Sequence, residues 1–451
     1  GNTNVRFTPV SSVVEESAPY YSSSELDYGP QSARNRAGHV AVFYSDSSSN
    51  NNARLMARTS ADGLSWSART TLWSPTGATG VVDNDAGGGP EIWVYVDSSD
   101  VLHLTSHKLI SGATRVAYSK CGVADIANVH TWSNWKAADG TAATASGSAA
   151  DGFGFDDVFK RTSIDPSVAV RSDGRVLVAG NASDRFVVRE FRSGAWSAAT
   201  ALTFGTTILD LALVVSDKDD NYHAFTNKRA NGAQGVVYKR CPAASDPSVA
   251  SSWKGIDGSA AYDFVIHRNA GDFDFPKPLV GASGVLHVVA GSKYSIDGFL
   301  RTFHNRVAYG ASSWTGATGI NTGGYETNVR VGLSDSARFA FGADSEGNAF
   351  PVFTNTTKEV SDIKWDHTTS TWLSPSPSEL ASANGHQVAQ LHSRSGATAV
   401  DHMFVGTSVG IRAIQFQTIK GESGSAWWDG GEARGRGRTA NFPTVRPRWG
   451  R

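Results

Sequence analysis

The sequence predicts an all-β protein, a seven-bladed β-propeller of four-stranded antiparallel blades. Three observations support this fold class. Glycine (47 residues) and aromatic residues (10%) are frequent while charged residues make up only 18%, which favours strands and tight turns over helices. A strand–turn–strand pattern recurs through most of the 451 residues, and a tryptophan often follows the third strand. Units of roughly 55 to 60 residues suit four short strands, and such sheets arranged radially form a propeller. A sequential solenoid is the weaker alternative.

The recurring element is a polar turn followed by an alternating apolar strand. In residues 172–178, Ser-Asp-Gly separates two apolar segments, which is typical of a hairpin. Similar turns precede strands in residues 99–104, 220–225, 283–288 and 346–350. The tryptophans that follow third strands are Trp66, Trp132, Trp135, Trp196, Trp253, Trp314 and Trp372.

These marks divide the chain into units. Seven units are predicted, at 25–77, 78–148, 149–205, 206–268, 269–326, 327–383 and 384–425. The seventh unit lacks a fourth strand, whereas residues 5–14 precede the first unit and have strand character. We therefore expect the N-terminal strand to complete the last blade, which removes an open sheet edge. The propeller then occupies residues 1–425, and residues 426–451 form a non-repeat tail, rich in Trp and Arg, that packs on the propeller or on a partner.

Composition also excludes several classes of function. The formal net charge of −1 excludes a globally basic nucleic-acid binder. No run approaches the ~18 apolar residues of a membrane span, and no basic-then-apolar segment opens the chain, so a signal peptide is absent or already removed. Cys121 and Cys241 occupy the same repeat position, which predicts buried, unbonded thiols. No metal motif is present. We expect no cofactor and no metal ligands, with a structural Ca²⁺ and the oligomeric state left open.

A ligand site is predicted at one end of the propeller, where first strands begin and the loops after second strands gather. Cations are concentrated there in a chain that is nearly neutral overall. A basic ring in a cleft attracts anions, and arginine pairs bidentately with carboxylate or sulfate. Surface salt bridges are the alternative interpretation. The predicted binding residues are Lys160, Arg161, Arg185, Lys228, Arg229, Lys293 and Arg330, together with Asp165 and Asp274, which stand beside prolines at strand starts.

The histidines divide into two groups. Five of them share one column of the repeat on second strands, which predicts a structural, half-buried role. Two others, His107 and His386, lie at the predicted site end, and Tyr294 stands there beside Lys293. The histidines of the column are His39, His103, His223, His287 and His402.

The repeat also resembles a known class of propeller. Segment 60–66, Ser-Ala-Asp-Gly-Leu-Ser-Trp, resembles a shortened Asp-box, and the units are similar to sialidase-type BNR repeats. Segments 237–253 and 273–291 resemble the BNR-type propellers that include ulvan lyases and related uronate-cleaving enzymes. The resemblance implies a His and a Tyr as base and acid, and an Arg or His that neutralises the uronate carboxylate.

We expect a polysaccharide lyase acting on an acidic polysaccharide or oligosaccharide, such as ulvan. Elimination needs a cation at the carboxylate, a base and an acid. Arg161 or Arg229 is predicted to neutralise the carboxylate, Tyr294 to act as base and acid, and His107 or His386 to transfer the second proton.

Two alternatives remain open. The first is a non-catalytic glycan-binding propeller, either a lectin or a phage receptor-binding appendage. The second, weaker one is a glycoside hydrolase using two of Asp85, Asp165, Asp272 and Asp274. An extracellular, secreted protein is expected, with a virion surface as the alternative. No nucleic acid and no membrane insertion are expected.

Overall fold

The computed structural model describes much of the chain, with gaps between strands. The described residues are 10–15, 31–34, 39–45, 55–61, 65–73, 92–97, 99–110, 113–121, 135–141, 166–182, 185–205, 208–209, 212–230, 233–267, 273–280, 284–292, 300–316, 327–332, 338–343, 349–354, 360–362, 365–366, 371–372, 376–377, 385–392, 398–407, 410–419 and 426–427.

The described residues form seven antiparallel sheets, with one short 3-10 turn at Ala250–Ser252. The chain begins with β1 (Val10–Glu15), which belongs to the last sheet. The first sheet contains β2 (Gln31–Arg34), β3 (Val40–Ser45), β4 (Leu55–Ser60) and β5 (Thr70–Trp73). The second contains β6 (Ile92–Val96), β7 (Leu102–Ile110), β8 (Ala113–Cys121) and β9 (Trp135–Lys136). The third contains β10 (Ser167–Val170), β11 (Val176–Ala182), β12 (Arg185–Arg192), β13 (Ala195–Trp196) and β14 (Thr200–Leu202).

The remaining sheets follow in chain order. The fourth contains β15 (Ile208–Leu209), β16 (Leu213–Ser216), β17 (Tyr222–Ala230), β18 (Ala233–Cys241) and β19 (Asp263–His267). The fifth contains β20 (Phe273–Val280), β21 (Leu286–Ser292), β22 (Leu300–Val307) and β23 (Thr327–Gly332). The sixth contains β24 (Arg338–Ala343), β25 (Ala349–Thr354), β26 (Val360–Asp362), β27 (Trp365–Asp366), β28 (Thr371–Trp372) and β29 (Ser376–Pro377). The last joins β30 (Gly385–His392), β31 (Thr398–Thr407), β32 (Gly410–Ile419) and β33 (Ala426–Trp427) to β1.

The sheets are arranged as a ring around a central channel. Their first strands, β2, β6, β10, β16, β20, β24 and β30, each contact the next, and β30 contacts β2. Hydrogen bonds show that the neighbouring first strands β10 and β16 run in the same direction: the Ser167 hydroxyl donates to the Ala212 carbonyl (2.7 Å) and the Ser216 hydroxyl to the Val170 carbonyl (2.6 Å). We call the end at which first strands begin the upper end, and the end at which they turn into second strands the lower end. The predicted all-β propeller is confirmed.

The strand content of the sheets varies. The first, second and fifth sheets have four strands, while the others gain short additional strands. In the last sheet, β1 pairs antiparallel with β32, with Val10 opposite Gln415, and β33 pairs with the end of β32. Strands from both ends of the chain therefore complete the last sheet.

One unit boundary predicted from the sequence is wrong. Residues 327–332 were expected to open the sixth unit, but β23 pairs with β22 and forms the outer strand of the fifth sheet. The apolar alternation of a segment identifies a strand but not the neighbour that receives its hydrogen bonds.

The core lies in the seams between sheets. Alternate residues of β17 face opposite neighbours: Tyr222 and Ala224 pack with the cluster of the third sheet, whereas Phe225 packs with Tyr238 and Trp314 against the fifth. This is the two-residue period of a strand buried on both faces. The second strand of a sheet therefore presents one set of side chains to each seam.

The two cysteines are buried and form no disulfide with each other, as predicted. They occupy equivalent pairs, Cys121 opposite Leu102 and Cys241 opposite Tyr222. Burial raises the pKa of the Cys241 thiol to about 12, which makes it unreactive. Within the described ranges, no helix has the length and apolar character needed to cross a membrane.

Candidate functional site

Six of the predicted site residues lie at the upper end of the ring. His107 lies near the end of β7, and Lys228 and Arg229 lie near the end of β17. Arg185 is the exposed first residue of β12. Asp274 and His386 are the second residues of the first strands β20 and β30. The ring therefore brings to one channel mouth residues that lie far apart in the sequence.

The structure separates one predicted residue from this group. Arg330 was expected at the start of a first strand, but it lies in β23, opposite Arg301, on the outer edge of the fifth sheet. Its placement among the mouth residues is wrong because the pairing of residues 327–332 was assigned to the wrong sheet. Five other predicted residues lie outside the described residues: Lys160, Arg161, Asp165, Lys293 and Tyr294.

A β-bulge lies beside Asp274 at the channel mouth. In β20, Asp274 stands opposite Gly291 whereas Lys277 stands opposite Val289, so β20 has one more residue than β21 over this stretch. A bulge bends its strand and redirects the side chains next to it, and bulges are frequent beside active sites. The extra residue lies in the Asp-Phe-Pro-Lys-Pro segment, whose prolines leave no N–H for pairing.

The same irregularity occurs at the upper ends of two more first strands. In β30, His386 is the additional residue between Gly385 and Gln387, which stand opposite adjacent residues of β31. In the fourth sheet, the four steps from Leu209 to Leu213 oppose three steps in β17. Three first strands are thus distorted at the end where the predicted site residues lie.

Side chains from sheets across the ring contact each other in the channel below this mouth. Trp93 of β6 packs against the apolar clusters on both sides of the ring, and the Lys277 ammonium of β20 lies 6.0 Å from its ring centroid. Two residues further down β6, Tyr95 is hydrogen-bonded with Ser216 of β16. Burial raises the pKa of the Tyr95 hydroxyl. Trp93, Tyr95 and Lys277 thus lie beneath the upper end, and we call them the floor of the mouth.

The sequence reasoning missed a buried amide at the same height as His107. Asn227 stands four residues after His223, as His107 does after His103, so the two share one register position. Asn227 is only 4% exposed, and its Oδ1 accepts no hydrogen bond from any residue that the structure describes. A buried acceptor without a donor is unfavourable, so this seam between the fourth and fifth sheets suits a donor from outside the fold.

At the lower end, two histidines are held in hydrogen-bonded chains. His223 Nε2 lies 3.0 Å from the Asp217 carboxylate and Nδ1 lies 2.7 Å from the Tyr238 hydroxyl. His103 repeats this with Asp97 (3.1 Å) and Tyr118 (2.9 Å). Because a carboxylate only accepts, Nε2 donates to it and Nδ1 accepts from the tyrosine.

The pKa shifts agree with a structural role for these Asp–His–Tyr hydrogen-bonded chains. Burial opposes the charged form of Asp217, but hydrogen bonds from His223 and from the turn lower the pKa of this carboxyl to about 2. Asp97 behaves in the same way, with its pKa lowered. Burial lowers the pKa of His103, which keeps that ring neutral. The predicted structural role is supported, although these side chains are fully rather than half buried.

The fifth sheet replaces this chain with a pair of histidines. His287 stands opposite Leu279 in the same column, and its Nδ1 lies 3.1 Å from His304 Nε2. Both rings are fully buried. Burial lowers the pKa of His287 to about 3 and that of His304 well below its usual value. Six residues before His287, the sequence has Gly281. The equivalent positions, six residues before His103 and His223, are Asp97 and Asp217.

His39 and His402 do not share the strand position predicted for all five histidines of the column. His39 lies one residue before β3, whereas His103, His223 and His287 are the second residues of their strands. His402 is the fifth residue of β31 and stands opposite His392. Alternation along the sequence gives the period of a strand but not the residue at which it begins. Among the described residues, no group of three or more His, Cys, Asp or Glu could hold a metal ion.

Comparisons with known proteins show similarity of fold. No family model matches the chain, and no curated protein matches its sequence. The crystal structure of the polysaccharide lyase Uly1 is similar over 90% of this chain and 98% of its own, with a TM-score of 0.55 and 13% identity. A PL25 ulvan lyase bound to a fragment of glucuronate and sulfated rhamnose covers 92% of this chain and 97% of its own, with a TM-score of 0.51 and 10% identity. The protein therefore shares the propeller fold of these lyases.

Proposed function

We propose that this protein is a polysaccharide lyase that cleaves a uronate-containing glycan by β-elimination at the upper end of the ring. The observation that carries the proposal is the convergence there of histidine and cationic positions, His107, Lys228, Arg229 and His386, above the contact of Trp93 with Lys277.

The chemistry requires three groups and no metal. A cation stabilises the negative charge that develops on the uronate carboxylate when the C5 proton leaves. A base accepts that proton, the electrons of the C5–H bond form the C4–C5 double bond, and the C4–O bond breaks. An acid donates a proton to the departing sugar oxygen. No water is consumed, and the new chain end is an unsaturated uronate.

We propose the roles that the sequence predicts, of which those of Arg161 and Tyr294 fall outside the described residues. Arg229 or Arg161 neutralises the carboxylate, and Tyr294 acts as base and acid, with His107 or His386 transferring the second proton. Lys228 and Arg185 attract the polyanion, since exposed cations in a cleft raise the local concentration of anions. Asp274 accepts hydrogen bonds from sugar hydroxyls.

The fold similarity supports a carbohydrate substrate, since Uly1 and the ulvan lyase are both polysaccharide lyases. Ulvan is the first substrate to test, because the ulvan lyase binds a glucuronate fragment. An acidic polymer of this kind is encountered outside cells, so we propose an extracellular protein, or one on a virion surface.

The test follows ultraviolet absorbance of unsaturated uronate during incubation with ulvan and other acidic glycans. Growth of absorbance is expected for the wild type, and His386→Ala is expected to lower the rate by about 10²-fold, the usual contribution of a proton-transfer group. His39→Ala, a histidine near the lower end, is the matched control and should keep the wild-type rate. Reducing ends without absorbance would indicate a hydrolase instead, and binding without cleavage a lectin or appendage.

A further inference from the structure

Lys277 and Trp93 contact each other across the channel, just below the mouth. The Lys277 ammonium lies 6.0 Å from the Trp93 ring centroid, although the two residues belong to the second and fifth sheets. Both side chains are half-buried. They thus retain contact with solvent at a place where the surrounding walls are apolar.

The register places this pair below two predicted site residues, His107 and Asp274, the latter opposite Gly291. Lys277 stands opposite Val289 and Trp93 opposite Thr105. These partners lie two residues below Gly291 and His107, which corresponds to about 7 Å along a strand. A sugar unit at the height of His107 would rest on the indole and on the ammonium.

The backbone around Lys277 is held in place before any ligand arrives. Pro276 and Pro278 flank it and are buried, and each fixes its own φ. The bulge that follows Asp274 sets the direction in which this segment enters the channel. A cation on a rigid segment loses little conformational entropy on binding an anion.

We infer that Lys277 and Trp93 form a subsite for one sugar unit that carries a carboxylate or sulfate group, which the ammonium pairs with while the indole packs against the apolar face of the ring. This inference rests on the proposed function. It assigns recognition of the anionic group at the floor to Lys277 of the fifth sheet, whereas Arg229, which is proposed to neutralise the uronate carboxylate, belongs to the fourth sheet. Aromatic surfaces contribute packing, and partial desolvation strengthens the charge pair.

The experiment measures binding of ulvan oligosaccharides by titration calorimetry, in native, carboxyl-reduced and desulfated forms. Lys277→Met keeps the stem and removes the charge. It should weaken binding of the native form by about 10- to 100-fold, as expected when a charge-assisted contact is lost. If Lys277 pairs with the carboxylate, the variant and the wild type should bind the carboxyl-reduced form equally well. If it pairs with the sulfate, they should bind the desulfated form equally well. Lys277→Arg should retain most of the affinity.

The matched control is Lys218→Met. Lys218 also lies over an aromatic ring, 3.2 Å from the Tyr309 centroid, but at the lower end. It should bind all three forms as the wild type does. An equal loss for all three forms in Lys277→Met, or no loss, would overturn the subsite. If Lys277→Met has a lower melting temperature than the wild type, Lys277→Gln is titrated in its place with the same criteria. Cleavage is followed in the same samples, so a wild type that binds but forms no unsaturated uronate contradicts the lyase and not the subsite.

Discussion

The two ends of the ring use the same strands for different purposes. In β7, His103 at the lower end is hydrogen-bonded on both nitrogens, while His107, four residues or about 13 Å further on, lies at the mouth. In β17, His223 and the pair Lys228 and Arg229 repeat this arrangement. At the lower end the polar side chains are buried and paired, whereas at the upper end first strands bulge and cations collect. Stability and ligand binding are therefore expected to separate along each strand.

Acid gives the strongest test of the lower end. Burial lowers the pKa of His287 to about 3 and that of His304 well below its usual value, so the folded protein keeps both rings neutral while the unfolded chain protonates them near pH 6.5. Stability should fall as the pH drops below about 6.5, by up to about 2.7 kcal/mol per pH unit for the pair. His304→Tyr, which copies the second and fourth sheets, should halve that slope in urea unfolding at pH 7 and pH 5. An unchanged slope would show that other groups control acid unfolding.

Asp217→Ala should destabilise the fold without affecting the mouth. It removes the acceptor of His223 and of the turn N–H groups of Asp219 and Asn221, and a buried group left unpaired costs about 2 to 4 kcal/mol. Because the carboxyl pKa is lowered to about 2, its contribution is present above pH 3.8 and is lost as the pH falls through about 2. Denaturation at pH 7 checks the loss. Glycan binding that falls together with stability would show that the two ends are coupled.

Arg229→Ala should have the opposite pattern. Its position at the end of β17 predicts a loss of about 1.5 to 3 kcal/mol in binding an acidic glycan, as for a hydrogen bond to a charged group, with an unchanged melting temperature. The affinity of the wild type should also fall with salt, since exposed charges are screened beyond about 8 Å at physiological ionic strength. Equal affinity of the wild type for an acidic glycan and its carboxyl-reduced form would contradict the assignment.

The smallest effect is expected at two lower-end glycines. Gly174 and Gly284 both have a positive φ, +82° and +80°, which an L side chain adopts at a cost of about 1 kcal/mol. A Cβ at Gly284 would also lie 2.7 Å from the Tyr309 ring, whereas one at Gly174 meets nothing within 4 Å. Thermal unfolding should therefore rank Gly284→Ala as less stable than Gly174→Ala, with glycan binding unchanged in both. Equal stability of the two variants would mean that the side chains of Tyr309 and Lys218 move aside freely.

The sequence was sufficient where structure depends on neighbours in the chain. Asp-Gly and Ser-Gly turns and alternating apolar residues are local, so the propeller and the upper-end positions of His107 and Asp274 were predictable. Pairing is not local, and Arg330 was misplaced for that reason. Bulges depend on the register of two strands, and the meeting of Trp93 with Lys277 depends on closure of the whole ring. No spacing in the sequence signals either.

The pairing of β1 with β32 has a consequence for synthesis on the ribosome. Val10 is translated long before its partner Gln415, so the ring stays open while all the strands between them emerge. During that time β1 is an unpaired edge, and the last sheet has no outer strand to protect it. Contacts so distant in sequence form slowly, since the loop must close before the pairing contributes. A translational pause or truncation before β32 would therefore leave a nascent chain that is prone to pair with its neighbours on the same polysome.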